Sequence, residues 1–236
     1  MKVLITGANQ GLGKLAAQKL LAGGHQVVAH IRNDSREAVA PEVVVGDLSD
    51  SEQVRSIAAQ VVALGGVDAI IHNAGLGPDA GPQLLPVNVV APYLLSCLLP
   101  DVTRSVFISS GMHRGGTVNL AALDWAGDTV TATYSDTKLL LTTFAAALAK
   151  IRPEAYINSV DPGWVPTRMG GAHASGDLHK GAETQVWLAA STDPAALTTG
   201  GYWYHKSQQE PHPITSDETF QNQLIAALAA HTKVAL

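Results

Sequence analysis

The chain has 236 residues, of which 46% are hydrophobic and 15% charged, and it carries a net charge of −5 at pH 7. That is enough apolar material for one substantial core and too short a chain for a separate substrate domain. The acidic balance and scattered basic residues leave no footprint for nucleic acid, and a single cysteine, Cys97, rules out an internal disulfide framework.

Met1 runs straight into an apolar strand with no leader-like segment, and no apolar stretch is long enough to span a bilayer, so a cytoplasmic protein without membrane contact is expected. Apolar periodicity predicts strands at 2–6, 26–31, 42–46, 67–72, 104–109, 155–160 and 200–205. Helices are predicted at 11–22, 50–63, 84–99, 132–150, 180–190 and 217–231. Such alternation implies right-handed βαβ units wound on both faces of one sheet: a three-layer, doubly wound parallel α/β domain spanning 1–236. Irregular stretches lie at 74–83, 111–131 and 164–179. The second and third are expected to be substrate loops, because ligands bind at the C-terminal edge of a parallel sheet.

The first strand breaks into Gly7, Gly11 and Gly13 before a helical pattern resumes at Leu12 and Leu15. A strand-to-helix turn without side chains lets a pyrophosphate approach the unpaired N–H groups and positive dipole of a helix start. The spacing is G-x-x-x-G-x-G and no Gly-Lys-Ser/Thr follows, so neither the standard dinucleotide fingerprint nor a P-loop is matched. The second strand ends in Ile31-Arg32, where a dinucleotide fold meets the adenosine ribose, and no acid follows until Asp34. Arg32 can pair with a 2′-phosphate, which predicts a preference for NADP(H) with NAD(H) still usable.

Tyr134 and Lys138 are four residues apart on the strongest helical segment, so both rise from one face. An ammonium there stabilises phenolate and would lower the phenol's pKa toward neutrality. Ser110 ends the apolar run Val106–Ser109. Because adjacent strand residues face opposite ways, only one of Ser109 and Ser110 can join the tyrosine.

Thr6-Gly7-Ala8-Asn9-Gln10-Gly11-Leu12-Gly13, Asp47-Leu48, Asn73-Ala74-Gly75, Asn88, Ser110, Tyr134, Lys138 and Pro162-Gly163-Trp164-Val165-Pro166-Thr167 stand in an order that resembles the short-chain dehydrogenase/reductase family. The resemblance implies a Rossmann fold and hydride transfer between nicotinamide and a carbonyl or alcohol. It assigns Ser110 to the carbonyl oxygen, Tyr134 to its proton and Lys138 to the phenol and the nicotinamide ribose. It assigns Asn88 to a water linked to that lysine. Cofactor contacts are implied for Gly7, Asn9, Gln10, Gly11, Leu12, Gly13, Asp47, Leu48, Asn73, Ala74, Gly75, Pro162, Gly163, Val165 and Thr167, with Asp47 at the adenine. His72 replaces a common asparagine. The long interval from Ser110 to Tyr134 resembles the branch of retinol dehydrogenase-like, protochlorophyllide reductase-like and polyketide ketoreductase-like enzymes.

The expected protein is thus an NADP-preferring carbonyl reductase or alcohol dehydrogenase with a small-molecule substrate. Its expected assembly is a homodimer or homotetramer, between which the sequence does not choose. The alternatives are a sugar-nucleotide epimerase or dehydratase, disfavoured by the missing C-terminal domain, and a dinucleotide sensor, disfavoured by the intact Ser110, Tyr134 and Lys138. His113, His173 and His179 match no zinc spacing and read as solvated loop residues, so no metal is expected. Trp187 reads as packing, residues 202–204 as the last strand, and Trp125 and Trp164 as either loop anchors or substrate contacts.

Overall fold

A computed structural model of the chain describes residues 1–33 and 39–236. Seven parallel strands form its sheet: β1 (Lys2–Ile5), β2 (Gln26–Ile31), β3 (Glu42–Val45), β4 (Ala69–His72), β5 (Arg104–Ile108), β6 (Tyr156–Asp161) and β7 (Tyr202–Tyr204). An eighth, β8 (Ser207–Gln209), adds antiparallel at the edge, giving the order β3-β2-β1-β4-β5-β6-β7-β8. The chain reverses direction of growth between β3 and β4, on either side of β1, so β1 and β4 meet at the switch point of the sheet.

Strand alternation sorts the core into layers. Val3, Ile5, Val27, Ala29, Ile71, Val106, Ile108 and Val160 face helices α1 (Gly11–Ala22) and α5 (Leu178–Ala190). On the other face, Leu4, Val28 and Ile70 pack against α2 (Ser51–Ala63) and α3 (Ala91–Leu98). Phe107 and Ile157 pack there against α4 (Tyr134–Ile151) and α6 (Glu218–Thr232). Each fully buried Leu or Ile contributes about 1.5–3 kcal/mol, so these two interfaces dominate the stability of the sheet. The fold is the expected three-layer α/β sandwich. Among the described residues, no helix is long and apolar enough to cross a membrane.

Caps set the helix starts. Asp50, Asp177 and Asp217 accept from backbone N–H groups at the starts of α2, α5 and α6, and Thr133 with Asp136 forms a capping box on α4. The predicted strand at 200–205 is not the last: a two-residue turn at His205 and Lys206, with φ of 48° and 61°, leads into β8. The Lys206 N–H donates to Thr184 Oγ1 at 3.0 Å and its ammonium pairs with Glu183 at 2.7 Å, which holds this left-handed turn without a glycine.

Candidate active site

Three elements end at one place on the C-terminal edge of the sheet. The glycine turn follows β1, and Gly7 and Gly11 take φ of 66° and 53°, a region that L side chains avoid. Gly13 lies so close to the turn that a Cβ there would overlap Asn73 Nδ2 and the Gly7 carbonyl. Asn73 Nδ2 donates to the Thr6 carbonyl at 2.9 Å and to that of Gly7 at 3.3 Å, which ties β4 to the turn. Leu12 packs beside Gly181 of α5, and Thr167 stands against Gly11. Helix α1 starts at Gln10 without a side-chain cap, unlike the capped α2, α4, α5 and α6. A bare turn below an uncapped helix start fits a dinucleotide pyrophosphate.

Thr6 and His30, to which the sequence motifs assign no role, shape this turn. Thr6 Oγ1 accepts from Ala74 N–H at 2.9 Å. His30 Nδ1 accepts from Gly7 N–H at 3.1 Å, so Nε2 carries the proton and donates to the Gly46 carbonyl at 2.9 Å. Burial holds the pKa of His30 below its ordinary value, in keeping with this neutral form. Its signal in the sequence was a polar residue at an inward position of an otherwise apolar strand. Arg32 is exposed just past β2, and Asp34 lies outside the described residues. Asp47 accepts from Ser49 N–H and Oγ at 2.9 and 2.8 Å in a tight turn, while Leu48 is buried in the core. Asn9 is half-buried in the turn.

Around the second cluster, Thr133 caps α4 and so aims Tyr134 from its first residue. The phenol is half-buried, and the Ser110 hydroxyl stands beside it. Ser109 is committed elsewhere, its hydroxyl 2.6 Å from Thr142 Oγ1 within the core. Lys138 is buried, and its Nζ donates to the Ile108 carbonyl at 2.7 Å and lies 5.5 Å from the Tyr134 ring centroid. Burial lowers its pKa to about 8. The phenol differs from expectation: burial pushes its pKa up, the Ser110 hydroxyl opposes this, and Asp161 adds to the rise. In the chain alone desolvation outweighs stabilisation of phenolate, and the ammonium rests on a carbonyl.

Asn88 lies in the interior. It sits buried in a π-helical turn, Pro86–Val90, that widens the helix just before α3. Its Oδ1 accepts from Leu76 N–H at 2.8 Å, and its Nδ2 donates to the Leu76 carbonyl at 3.1 Å and Thr137 Oγ1 at 3.0 Å. A Cβ on Gly75 would stand 3.4 Å from both Asn88 Oδ1 and Lys138 Nζ, so the three converge. His72 is buried and stacked on Phe107 at 4.3 Å, and burial drops its pKa to about 3.

After β6, Pro162 and Val165 are buried and Gly163 takes φ of 78°. His113 corrects the expectation of a solvated loop: it is fully buried, with Nδ1 donating to the Ser110 carbonyl at 2.8 Å and Nε2 accepting from His212 N–H at 3.0 Å. It braces the serine segment. His173 and His179 are exposed. Trp125 packs on the α4 core, Trp187 stacks edge-on against Trp203 at 5.3 Å, and Trp164 is exposed. No group of three metal-ligating side chains occurs among the described residues.

A family model described as short chain dehydrogenase matches residues 1–177. The short-chain dehydrogenase chyC of Penicillium rubens is 37% identical over 100% of this chain and 98% of its own length. Among solved structures, an uncharacterised protein from Mycobacterium paratuberculosis superposes with a TM-score of 0.82 at 24% identity, covering 99% of this chain and 94% of that one. An NADPH-bound carbonyl reductase from chicken fatty liver superposes with a TM-score of 0.66 at 20% identity, covering 89% and 98%. These two likenesses establish the fold.

Proposed function

This chain belongs to the short-chain dehydrogenase/reductase family of NAD(P)(H)-using oxidoreductases, and we propose that it is an NADP-preferring carbonyl reductase or alcohol dehydrogenase. The observation that carries this reading is the convergence of Ser110, Tyr134, Lys138 and Asn88 at the mouth of the glycine turn. In this reading Gly7, Asn9, Gln10, Gly11, Leu12 and Gly13 hold the pyrophosphate at the start of α1, with Asn73, Ala74 and Gly75 bordering it. Asp47 and Leu48 border the adenine, and Arg32 receives a 2′-phosphate. Pro162, Gly163, Val165 and Thr167 line the nicotinamide end. A bound nicotinamide supplies a hydride in reduction and takes one in oxidation.

Ser110 Oγ donates to the substrate's carbonyl oxygen and fixes it against the tyrosine. Tyr134 gives its proton to that oxygen, a general-acid contribution of about 10²–10⁴ in rate. Because burial and Asp161 both raise its pKa, the phenol keeps its proton at neutral pH and suits reduction. Lys138 holds the ribose and supplies positive charge beside the phenol, while Asn88, in the widened turn, holds a water linked to that lysine. The segments 111–131 and 164–179 exclude water above these groups.

A screen of purified enzyme against a panel of aldehydes and ketones, following NADPH and NADH consumption separately, tests the reading. Carbonyl-dependent consumption favouring NADPH is expected. A wild-type enzyme that prefers NADH defeats the cofactor assignment, and consumption that no carbonyl stimulates defeats the activity.

A further inference from the structure

We propose that Asp161 selects the substrate: its carboxylate receives a hydrogen-bond donor, hydroxyl or ammonium, carried close to the reacting carbonyl. The proposal rests on the oxidoreductase reading above and extends it to a class of carbonyl compound. Alternation along β6 puts Val160 on the α1/α5 face and Ile157 on the α4 face, so Asp161, four residues after Ile157, points to the α4 face. That is the side of Tyr134. Oδ1 accepts from Gly163 N–H at 2.9 Å, which fixes the carboxylate plane. Oδ2 reaches toward Gly111, where a Cβ would stand 2.9 Å from it. Gly111 directly follows Ser110, so this oxygen stands one residue from the hydroxyl assigned to the carbonyl oxygen. Its charge also reaches the Tyr134 phenol, where it strengthens the hold on the proton.

No side chain of the described residues forms an ion pair with this carboxylate. Arg114 comes near, but its Nη2 donates to the Glu210 carbonyl at 2.7 Å and its guanidinium lies 5.2 Å from the Tyr202 ring centroid. The stacked rings of Tyr204 and His205, 3.9 Å apart, pack against Gly163 and close the far side. The acceptor therefore faces the site. An ionised carboxylate only accepts, so a substrate without a donor must desolvate Oδ2 and give nothing back. A substrate with a donor in reach replaces the lost water with a charge-assisted bond.

The test compares an aryl α-hydroxyketone, the matching α-ammonio ketone and the same ketone with neither group, using purified enzyme and NADPH. At least one donor-bearing ketone is expected to exceed the plain one by about tenfold or more in kcat/KM. Their order identifies the donor. Asp161→Asn keeps an oxygen for Gly163 N–H but puts an NH2 donor where Oδ2 stood, so donor meets donor and the preference should vanish or invert. Asp161→Ala should also bring the ratio to within about threefold of unity. Calorimetry of the same three ketones on NADP⁺-loaded enzyme, which has no hydride to give, reads the same preference without turnover. Equal values for all three compounds in the wild type, or a preference that survives in both variants, overturns the proposal and leaves the oxidoreductase reading standing. A wild type that neither binds NADPH nor consumes it with any carbonyl overturns that reading, and this proposal with it.

Discussion

Lys138 carries its amine into a place where burial lowers its pKa to about 8 from 10.5. Below pH 8 the folded chain therefore bears the cost of a buried charge. Between pH 8 and 10.5 the unfolded chain binds more protons than the folded one, so stability rises with pH across that window. Lys138→Met removes the charge but leaves the Ile108 carbonyl without its donor. The first effect should win at pH 7, giving a melting temperature above wild type by about 2–4 °C, a shift worth roughly 1 kcal/mol in a chain this size. Thermal melts from pH 7 to 10 should show the gap closing; a variant that melts lower throughout contradicts the buried-charge account. Arg32 makes a separate prediction. Arg32→Ala should raise the KM for NADPH by about tenfold, near 1.4 kcal/mol, while leaving NADH use almost unchanged. Equal losses with both cofactors would make it a surface arginine ending a strand.

Helix α1 and its turn depend on close approach. Gly13→Ala would push a methyl group into Asn73 Nδ2 and the Gly7 carbonyl, an overpacking that costs about 1–3 kcal/mol. A drop in melting temperature of about 2–12 °C together with weakened NADPH binding is expected, and unchanged melting would mean that the turn is looser than its geometry. The substrate loop 164–179 carries Gly170, Gly171 and Gly176 and few large apolar anchors, which suits a segment that closes over cofactor and substrate. Two of these glycines also make contacts within the segment: Gly176 N–H donates to the Trp164 carbonyl at 2.8 Å, and the Gly170 carbonyl accepts from Trp164 Nε1 at 2.9 Å. Met169 lies against Gly77, across the site. Slower hydrogen exchange in this segment on adding NADP⁺ and a substrate analogue is expected if it closes over them. Exchange that does not change would make it an ordinary surface loop.

Across the whole molecule, the layers were legible because apolar periodicity is strong where both faces of a strand are buried. Strand β2 and helix α1 match their predicted bounds, at Gln26–Ile31 and Gly11–Ala22. Strand β8 was not legible: Ser207, Gln208 and Gln209 are polar and exposed, and the turn before it uses His205 and Lys206 in place of glycine or asparagine. Tyr134 and Lys138 could be found from their spacing, since a helix imposes it. His30 left only a faint signal, a polar residue in an apolar strand, and His113 and Asp161 left none, because each acts through a partner far away in sequence, at Gly7, His212 and Ser110–Gly111 respectively.

The central claim is that the Tyr134 hydroxyl delivers the proton to a carbonyl oxygen in a site built to bind NADPH. Tyr134→Phe keeps the ring and its packing and removes only that hydroxyl. The direct measurement is kcat on the best carbonyl from the panel, taken alongside NADPH affinity by calorimetry, for this variant and the wild type. The account predicts a fall in kcat of about 10² or more with NADPH affinity within about threefold of wild type. Near-normal turnover in the variant would contradict it.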